Sequence, residues 1–165
     1  MIKLINGRGQ LGDLLKKEID QVDTNKNVYI YHTWNIEDKS ESAQRDCYNL
    51  FVKFVEERKD DRIVFISTAS TTEDNYVLHK QLAEAYLISN VEDCLIIRLP
   101  TLIGKGVIQK FKQGELNPFG SMRLASLETS CKYVIKLINY PGPLKIKTLE
   151  APSVPASLVK EICIG

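Results

Sequence analysis

The stretch that decides the fold is IKLINGRGQLG, residues 2–12 of a chain of 165 residues. A short apolar run, Ile2 to Ile5, passes directly into three glycines at positions 7, 9 and 12. After them, apolar side chains recur at the three- and four-residue spacing of a helix, at positions 11, 14, 15, 19 and 22. The pattern predicts a strand, a tight glycine turn and a helix, which together form the first unit of an α/β protein.

The glycines have the spacing G-x-G-x-x-G, in the context where the dinucleotide-binding fingerprint is found. In that fingerprint the glycines allow a tight turn and a close approach of the pyrophosphate, whose charge is met by N–H groups at the helix start. The alternative is a glycine turn that serves only the packing of strand against helix. The predicted cofactor-binding residues of this turn are Gly7, Arg8, Gly9, Gln10, Leu11 and Gly12.

A complete fingerprint also has an acidic residue about 20 positions further on, at the end of a second strand, where it binds the adenosine ribose. Asp20 and Asp23 come too early and follow no strand, whereas Glu37 and Asp38 come too late. We therefore expect the ribose-binding half of the site to be reduced or absent.

Beyond the first unit, predicted strands and helices alternate, which is typical of a parallel sheet covered by helices on both faces. The predicted strands are Val28–His32, Arg62–Ile66, Cys94–Leu99 and Lys145–Thr148. The first predicted helix beyond that unit is capped by Ser42 and runs to Val55. The others are Asn75–Ile88, Gly106–Gln113, Leu127–Ile138 and Ser157–Ile162.

Composition excludes several classes of protein. The 22 basic and 21 acidic residues give a net charge of +1, so no global field favours a nucleic acid or an anionic membrane as partner. The four cysteines lie far apart without a C-x-x-C pair, so we expect reduced, mostly buried thiols and no metal site. With no apolar run of membrane-spanning length and no signal peptide, the expected location is the cytoplasm.

Tyr76 and Lys80 lie four residues apart on a predicted helix, hence on one of its faces. A lysine ammonium beside a phenol lowers the phenol pKa, which makes the tyrosine a better proton donor or acceptor near neutral pH. Thr68 or Ser67, at the end of the preceding strand, is placed to polarise the same substrate oxygen. A tyrosine and a lysine at this spacing usually mark only a solvated helix face, but here they open the helix that follows a buried strand.

Trp34 follows the second predicted strand, in the run His32-Thr33-Trp34. At the end of a strand it would face the crevice and stack on a ligand ring. The alternative is a tryptophan at the edge of the core.

In these motifs and their order, the sequence resembles the extended short-chain dehydrogenase/reductases that act on nucleotide sugars, over nearly its whole length. The GQLG run at residues 9–12 looks most like the dTDP-dehydrorhamnose reductases, with the epimerase/dehydratases close behind. The matching segments are the glycine turn, RIVFISTAS at 62–70, Tyr76-x-x-x-Lys80, IRLPTLIG at 97–104, RLASLET at 123–129 and the closing stretch 146–162.

The resemblance implies a Rossmann-like, doubly wound α/β fold with fewer strands than usual. Residues 1–165 would form one domain, in which a short C-terminal extension, about 105–165, resembles a trimmed substrate-binding part. The cofactor would be NAD or NADP and the substrate a nucleotide sugar. Arg8 would touch a phosphate, including the additional phosphate of NADP.

The same resemblance assigns catalytic roles. Thr68 matches the catalytic Ser/Thr, Tyr76 the general acid/base, and Lys80 the residue that holds the nicotinamide ribose and lowers the tyrosine pKa. Relatives dimerise by pairing the tyrosine-bearing helix with its neighbour. The corresponding positions are Leu82, Ala85, Tyr86 and the faces near Phe51 and Val55.

The sequence also departs from the family. Relatives are commonly much longer, and the strand Val28–His32 resembles their third strand, so the second strand and its helix are missing. The loop between Thr68 and Tyr76 is short for the extended branch. Two functions stay open: a nicotinamide-dependent oxidoreductase or epimerase/dehydratase acting on a nucleotide sugar, or a catalytically inactive relative that serves as a binding or assembly module.

Overall fold

The computed structural model describes residues 1–115 and 120–164, without the side chains of residues 105 and 162–164. The strands are β1 (Ile2–Ile5), β2 (Val28–Tyr31), β3 (Arg62–Thr68), β4 (Cys94–Leu99), β5 (Thr101–Ile103), β6 (Ser121–Ser126), β7 (Ile146–Thr148) and β8 (Ser153–Pro155). The helices are α1 (Gly9–Glu18), α2 (Glu41–Glu56), α3 (Asn75–Asn90), α4 (Lys105–Lys112), α5 (Leu127–Leu137) and α6 (Ala156–Ile164), and a 3-10 turn spans Ile19–Gln21.

Five strands form the main sheet in the order β1-β2-β3-β4-β7. Every neighbouring pair in it is parallel. The central strands β3 and β4 are buried on both faces, which explains why they are continuous apolar runs instead of alternating ones. The predicted α/β class and parallel sheet are confirmed.

Helices cover both faces of this sheet. On one face, Leu11 and Leu15 of α1 and Val134 of α5 pack with the inward side chains of the strands. On the other face, α2 and α3 enclose an aromatic cluster in which Phe51 and Phe65 lie with ring centroids 4.6 Å apart. The two layers hold the carboxyl ends of the strands in a fixed arrangement.

The connection through α1 has the opposite hand to the next two. The strands β1, β2 and β3 advance across the sheet in one direction, yet α1 lies on the face opposite to α2 and α3. About 98% of parallel β-α-β connections are right-handed. The connection from β4 to β7 continues in the same direction with α5 on the α1 face, so it shares the hand of the α1 connection, and the chain has connections of both hands.

A second, three-stranded sheet in the order β5-β6-β8 was not predicted. Its β5 and β6 are parallel, β6 and β8 are antiparallel, and α4 and α6 cover it around a small core that includes Phe111 and Leu124. Two of its strands have only three residues, which is too short to give an alternating pattern in the sequence. The stretch after residue 105 also contributes β7 to the main sheet and α5 to the helices that pack against it.

Several predicted boundaries shift by a few residues. Ser42 is not the cap of α2: the N-cap is Ser40, whose side chain accepts a hydrogen bond from the Ala43 amide at 3.3 Å. Cys47, Cys94 and Cys131 are unpaired, and the side chain of Cys163 lies outside the described residues. Within the described ranges, no helix is long and apolar enough to cross a membrane.

Candidate functional site

The candidate site is a crevice at the carboxyl edge of the main sheet. Because its strands are parallel, the glycine turn after β1, His32 after β2 and Thr68 at the end of β3 reach the same edge. Helix α3 begins just beyond β3 and brings Tyr76 and Lys80 to the same region. The fold therefore gathers the residues that the sequence singled out.

Each glycine of the turn has a separate structural reason. Gly9 has φ +72°, a left-handed conformation, and a Cβ added there would meet nothing within 4 Å. A Cβ on Gly12 would lie 2.7 Å from the carbonyl carbon of Gly7, so helix and strand approach too closely for any side chain. A tight turn with open space at its middle glycine is the arrangement that lets a pyrophosphate approach the backbone.

The N-terminus of α1 faces this open space with a positive helix dipole. Arg8 is the N-cap, with extended backbone and no side-chain cap hydrogen bond, and the first turn of the helix contains no acidic residue. No carboxylate on the helix therefore competes with an anion at this end. The turn and helix start fit a phosphate group on geometry and on charge.

Two contacts fix the turn against its surroundings. The Thr33 hydroxyl lies 2.9 Å from the carbonyl oxygen of Ile5 and 2.8 Å from that of Asn6, which ties the end of β2 to the start of the turn. On the other side, a Cβ on Gly104 would lie 2.2 Å from Oε1 of Gln10, so the Gln10 side chain lies directly against the connection between β5 and α4.

Lys80 is buried, with 4% of its surface exposed. Its Nζ donates to the carbonyl oxygen of Ile66 at 2.8 Å. Three aromatic rings surround it, with Nζ 4.9 Å from the ring centroid of Phe65, 5.0 Å from Trp34 and 5.7 Å from Tyr76. Burial lowers the pKa of Lys80 to about 7, against the opposing effect of the nearby Glu84 carboxylate.

A buried glutamine holds Trp34 in place. The indole Nε1–H donates to Oε1 of Gln44 at 2.8 Å, and Nε2 of Gln44 donates to the carbonyl oxygens of Asn35 at 2.9 Å and Asp38 at 2.6 Å. The indole packs beside Phe65 at the edge of the aromatic cluster. The structure thus places Trp34 at the edge of the core, and its stacking on a ligand ring stays a prediction.

The phenol of Tyr76 has a raised pKa, which corrects the direction that the sequence predicted. Burial, together with the carboxylate of Asp74, raises it to about 12. The Lys80 ammonium lies 5.7 Å from the Tyr76 ring centroid and donates to the Ile66 carbonyl oxygen. Lys39, whose Nζ lies 5.3 Å from the Tyr76 ring centroid and 3.4 Å from an Asp74 oxygen, covers the residue on the solvent side.

The two candidate hydroxyls differ in their partners. Ser67 is buried and donates to Oε1 of Glu84 at 2.5 Å, so it is not available to a substrate. Thr68 is half-buried, and its Oγ1 accepts from the Ser70 amide at 3.0 Å. In the described part of the chain, no hydrogen bond joins Thr68, Tyr76 and Lys80 to one another.

Behind Ser67 lies an ion pair that the sequence analysis missed. Arg98 of β4 binds Glu84 of α3 through both carboxylate oxygens, at 3.1 and 2.5 Å. Glu84 is 5% exposed and stands one helical turn beyond Lys80. The four-residue spacing of Lys80 and Glu84 was visible in the sequence, but the partner strand was not.

His32 lies between the glycine turn and Lys80. Burial and the charge of Lys80 lower its pKa to about 4, against a backbone hydrogen bond with Arg8, so the imidazole is neutral at physiological pH. Its Nδ1 is buried and has no hydrogen-bond partner among the described residues. A buried polar atom without a partner is costly, so this nitrogen marks a place where a ligand group or a water would be stabilising.

A broad open pocket of about 1050 Å³ lies at the opposite, amino edge of the sheet. Three of its charged groups pair with each other: Asp93 binds Arg62 and Lys26, each at 2.5 Å. Arg62 also donates to the carbonyl oxygens of Ile138 and Tyr140. This pocket lacks the glycine turn and the convergent polar groups of the crevice. We therefore place the functional site at the carboxyl edge.

These features define the class as a Rossmann-type α/β fold, and comparison with solved structures agrees. A dTDP-4-dehydrorhamnose reductase from Clostridium acetobutylicum has a TM-score of 0.74 and 15% identity over 98% of this chain and 78% of that one. The reductase of the same name from Bacillus anthracis, in complex with NADP, has a TM-score of 0.70 and 12% identity, over 98% and 79%. WbmG from Bordetella bronchiseptica, in complex with NAD and UDP, has a TM-score of 0.66 and 12% identity, over 99% and 77%.

No protein-family model matches the sequence, and comparison with curated protein sequences finds no match. At identities of 12–15% the structural likeness establishes the fold. What the site does has to be argued from its residues.

Proposed function

We propose that the chain binds NAD or NADP at the carboxyl edge of its sheet and uses it in an oxidoreductase or epimerase/dehydratase step on a nucleotide-linked sugar. The observation that carries the proposal is the glycine turn, with an open Gly9 beside the N-terminus of α1 and Gly12 against the backbone of Gly7. Two proteins of the same fold support the ligand class, since one is described with NADP and the other with NAD and UDP.

The turn would hold the pyrophosphate. Gly7 and Gly12 keep the strand and the helix close, and Gly9 leaves room for the phosphate oxygens. The first turn of α1, which includes Gln10 and Leu11, contributes the positive end of the helix dipole. Arg8, exposed at the N-cap, adds a positive charge beside it.

Tyr76 would act as the proton donor. Because its pKa is raised to about 12, the phenol is protonated at neutral pH and is able to donate to a sugar carbonyl oxygen. Thr68 would hydrogen-bond the same oxygen, and Lys80 would contact the nicotinamide ribose after Trp34 moves aside. A bound nicotinamide supplies or accepts the hydride.

Calorimetric titration with NADH and NADPH tests the binding step. We expect saturable binding that Gly9→Asp abolishes, because the added carboxylate fills the phosphate space and repels the pyrophosphate. Gly114→Asp is the matched control: Gly114 has φ +71° and likewise nothing within 4 Å, so it carries the same backbone strain and the same charge away from the site. Absence of NADH and NADPH binding to the unmodified chain at millimolar concentration would contradict the proposal.

A second candidate function is a binding or assembly module without catalysis. It is favoured because two groups that catalysis would use already have partners within the protein. The Lys80 ammonium bonds to the Ile66 carbonyl beneath Trp34, and the Thr68 hydroxyl accepts from the Ser70 amide. The two functions differ in a single-turnover assay with NADPH and a nucleotide-linked 4-keto sugar. Catalysis predicts turnover that Tyr76→Phe abolishes.

Tyr133→Phe is the control for that assay, because Tyr133 donates to the Thr148 carbonyl at 3.1 Å and lies outside the crevice. It should retain turnover. Saturable cofactor binding without turnover of any tested sugar would favour the binding module.

We also propose that the chain forms a homodimer through the outer face of α2 and α3. Phe51 and Val55 are fully buried and cannot contribute, whereas Leu78 and Leu82 are 51% and 45% exposed one turn apart on α3. Sedimentation velocity over a dilution series should show a dimer that Leu78→Glu dissociates. A monomer at every concentration would contradict this part of the proposal.

A further inference from the structure

Strand β1 is the edge of the main sheet, on the side where a complete dinucleotide site continues. It pairs only with β2, from Ile2 opposite Val28 to Ile5 opposite Tyr31. The 3-10 turn after α1 ends at Gln21, and residues 22–27 lead into β2 without a strand. No strand in the described part of the chain therefore lies beyond β1.

The strand order of a complete Rossmann sheet, 3-2-1-4-5-6, shows where such strands would belong. There the helix after the first strand leads to a second strand on the side of the first strand away from the fourth. In this chain the connection doubles back to β2 instead. In a complete Rossmann sheet a second strand lies beside the first, and the adenosine ribose is held at the end of that second strand. In the described part of this chain, no strand occupies that position beside β1.

The acidic residues that follow the next strand do not take over this role. Glu37 and Asp38 lie after β2, on the other side of the glycine turn, where their amides donate to Oδ1 of Asn35 at 3.0 Å each. A carboxylate oxygen of Asp38 accepts from the Ser40 amide at 2.9 Å, just before α2. The side chains of Asn35 and Asp38 thus stabilise the turn that precedes α2, away from the adenosine side.

Among the described residues, the polar groups that line the crevice behind the glycine turn lie on its β2 and β3 side. His32, with its unpartnered Nδ1, follows β2, and Thr68 ends β3. Lys80 reaches the Ile66 carbonyl of β3 from α3. In the part of the chain that the structure describes, these hydrogen-bonding groups are therefore placed for one half of a dinucleotide and not for the other.

We infer that this site recognises a mononucleotide-sized ligand, a nicotinamide ribonucleotide held by its phosphate at the glycine turn, and is indifferent to the adenosine half of NAD or NADP. This inference rests on the proposed function. A group that gains no contact contributes no affinity, and a 2′-phosphate that meets no side chain gives no discrimination between NADH and NADPH. Arg8, the exposed cation of the turn, is the residue whose contact with a 2′-phosphate would break this indifference.

Calorimetric titration of the full chain with NADH, NADPH and reduced nicotinamide mononucleotide tests the inference. We expect the three dissociation constants to agree within about fivefold, since the shared phosphate and nicotinamide ribose supply the contacts. Gly9→Asp should abolish binding of all three ligands and Gly114→Asp of none. Arg8→Ala should weaken all three by the same factor.

Two results would overturn the inference while leaving the proposed function intact. One is NADH binding more than about fivefold tighter than the mononucleotide, which would show that the adenosine half is recognised. The other is a preference of that size between NADH and NADPH, above all one that Arg8→Ala removes. If neither NADH nor the mononucleotide binds, the proposed function and this inference fail together.

Discussion

The indole of Trp34 lies over the ammonium of Lys80, with Nζ 5.0 Å from the ring centroid. Lys80 is 4% exposed, and its other neighbours are Phe65, Tyr76 and the Ile66 carbonyl. A ligand hydroxyl thus reaches the ammonium only after the indole moves. The hydrogen bond from Trp34 to Gln44 holds the indole in this position.

Trp34 fluorescence should therefore report ligand binding, because it is the only tryptophan in the chain. We expect saturating NAD⁺ to shift the emission as the indole leaves Phe65 and Gln44, with the same midpoint as in calorimetry. Gly9→Asp should eliminate the shift, and Gly114→Asp should retain it. Calorimetric saturation with unchanged emission would show that the ligand does not reach Lys80.

The depressed pKa of Lys80 predicts a rise of stability with pH. Between about pH 7, its pKa in the folded chain, and the ordinary value of 10.5, the unfolded chain holds a proton that the folded chain has released. The free energy of unfolding therefore increases with pH over this window, and below about pH 7 the full cost of burying the charge is present.

Urea unfolding at about pH 7 and pH 9 should show this rise relative to Lys80→Met, on the order of 2 kcal/mol. Lys17→Met, at an exposed position of α1, is the control and should keep the rise. If Lys80→Met retains the same pH dependence as the unmodified chain, Lys80 is not the group responsible.

The glycine turn was predictable because its causes are local. Spacing alone predicted a tight turn between strand and helix, and the structure has one, with Gly9 at φ +72° and Gly12 against the backbone of Gly7. The pKa of Tyr76 was not predictable in the same way. Four-residue spacing placed Lys80 near the phenol, but the burial that raises the pKa of Tyr76 depends on tertiary packing, in which Lys39 from the segment between β2 and α2 lies over the ring.

Contacts between residues far apart in the chain could not be predicted from the sequence pattern either. The carboxylate of Glu84 meets the guanidinium of Arg98 across 14 residues. Arg98 lies in the segment IRLPTLIG at 97–104, but nothing in the sequence pairs it with Glu84. The second sheet was missed because strands such as β5 and β8 have three residues each. The short connection between α1 and β2 predicted that a strand is missing, but matching Val28–His32 to a third strand was wrong. In the Rossmann order 3-2-1-4-5-6 the third strand lies beyond the second, whereas β2 lies between β1 and β3, where the fourth strand belongs.

His32 should make the chain sensitive to acid. Its pKa is about 4 in the folded chain and 6.5 when unperturbed, so between these values the unfolded chain binds a proton that the folded chain does not. Stability therefore falls as the pH drops from about 6.5 to 4. We expect His32→Gln to reduce this loss by on the order of 2 kcal/mol in urea unfolding.

His79→Gln is the control for His32, because His79 is the other histidine of the chain and its Nδ1 lies 2.8 Å from the Asn75 carbonyl oxygen. It should leave the acid-induced loss in place. Equal acid sensitivity of His32→Gln and the unmodified chain would assign the loss to carboxylates.

The pair of Glu84 and Arg98 should contribute far more to stability than an exposed pair. Arg98→Met leaves a carboxylate that is 5% exposed without its cation, which we expect to cost about 2 to 4 kcal/mol of unfolding free energy. Arg45→Ala removes the partner of Glu41, a pair exposed on both sides, and should cost less than about 1 kcal/mol. Equal losses would show that the buried pair is effectively solvated.

Gly12 and Gly106 give the sharpest comparison of glycine roles, since both lie in helices. A Cβ on Gly12 would lie 2.7 Å from the Gly7 carbonyl carbon, a backbone atom that cannot rotate away, so Gly12→Ala should destabilise by about 1 to 3 kcal/mol. Gly106→Ala meets nothing within 4 Å in α4 and should stabilise by about 0.5 to 1 kcal/mol through helix propensity. Urea unfolding measures both.

The same two variants test whether the close packing of Gly12 against Gly7 is needed for NADH binding. To make room for its methyl group, Gly12→Ala has to move α1 away from the end of β1, which displaces the helix N-terminus from the open space at Gly9. NADH affinity should therefore fall in Gly12→Ala and stay unchanged in Gly106→Ala. A Gly12→Ala protein that is as stable as Gly106→Ala and binds NADH normally would refute the close approach of strand and helix on which the phosphate site depends.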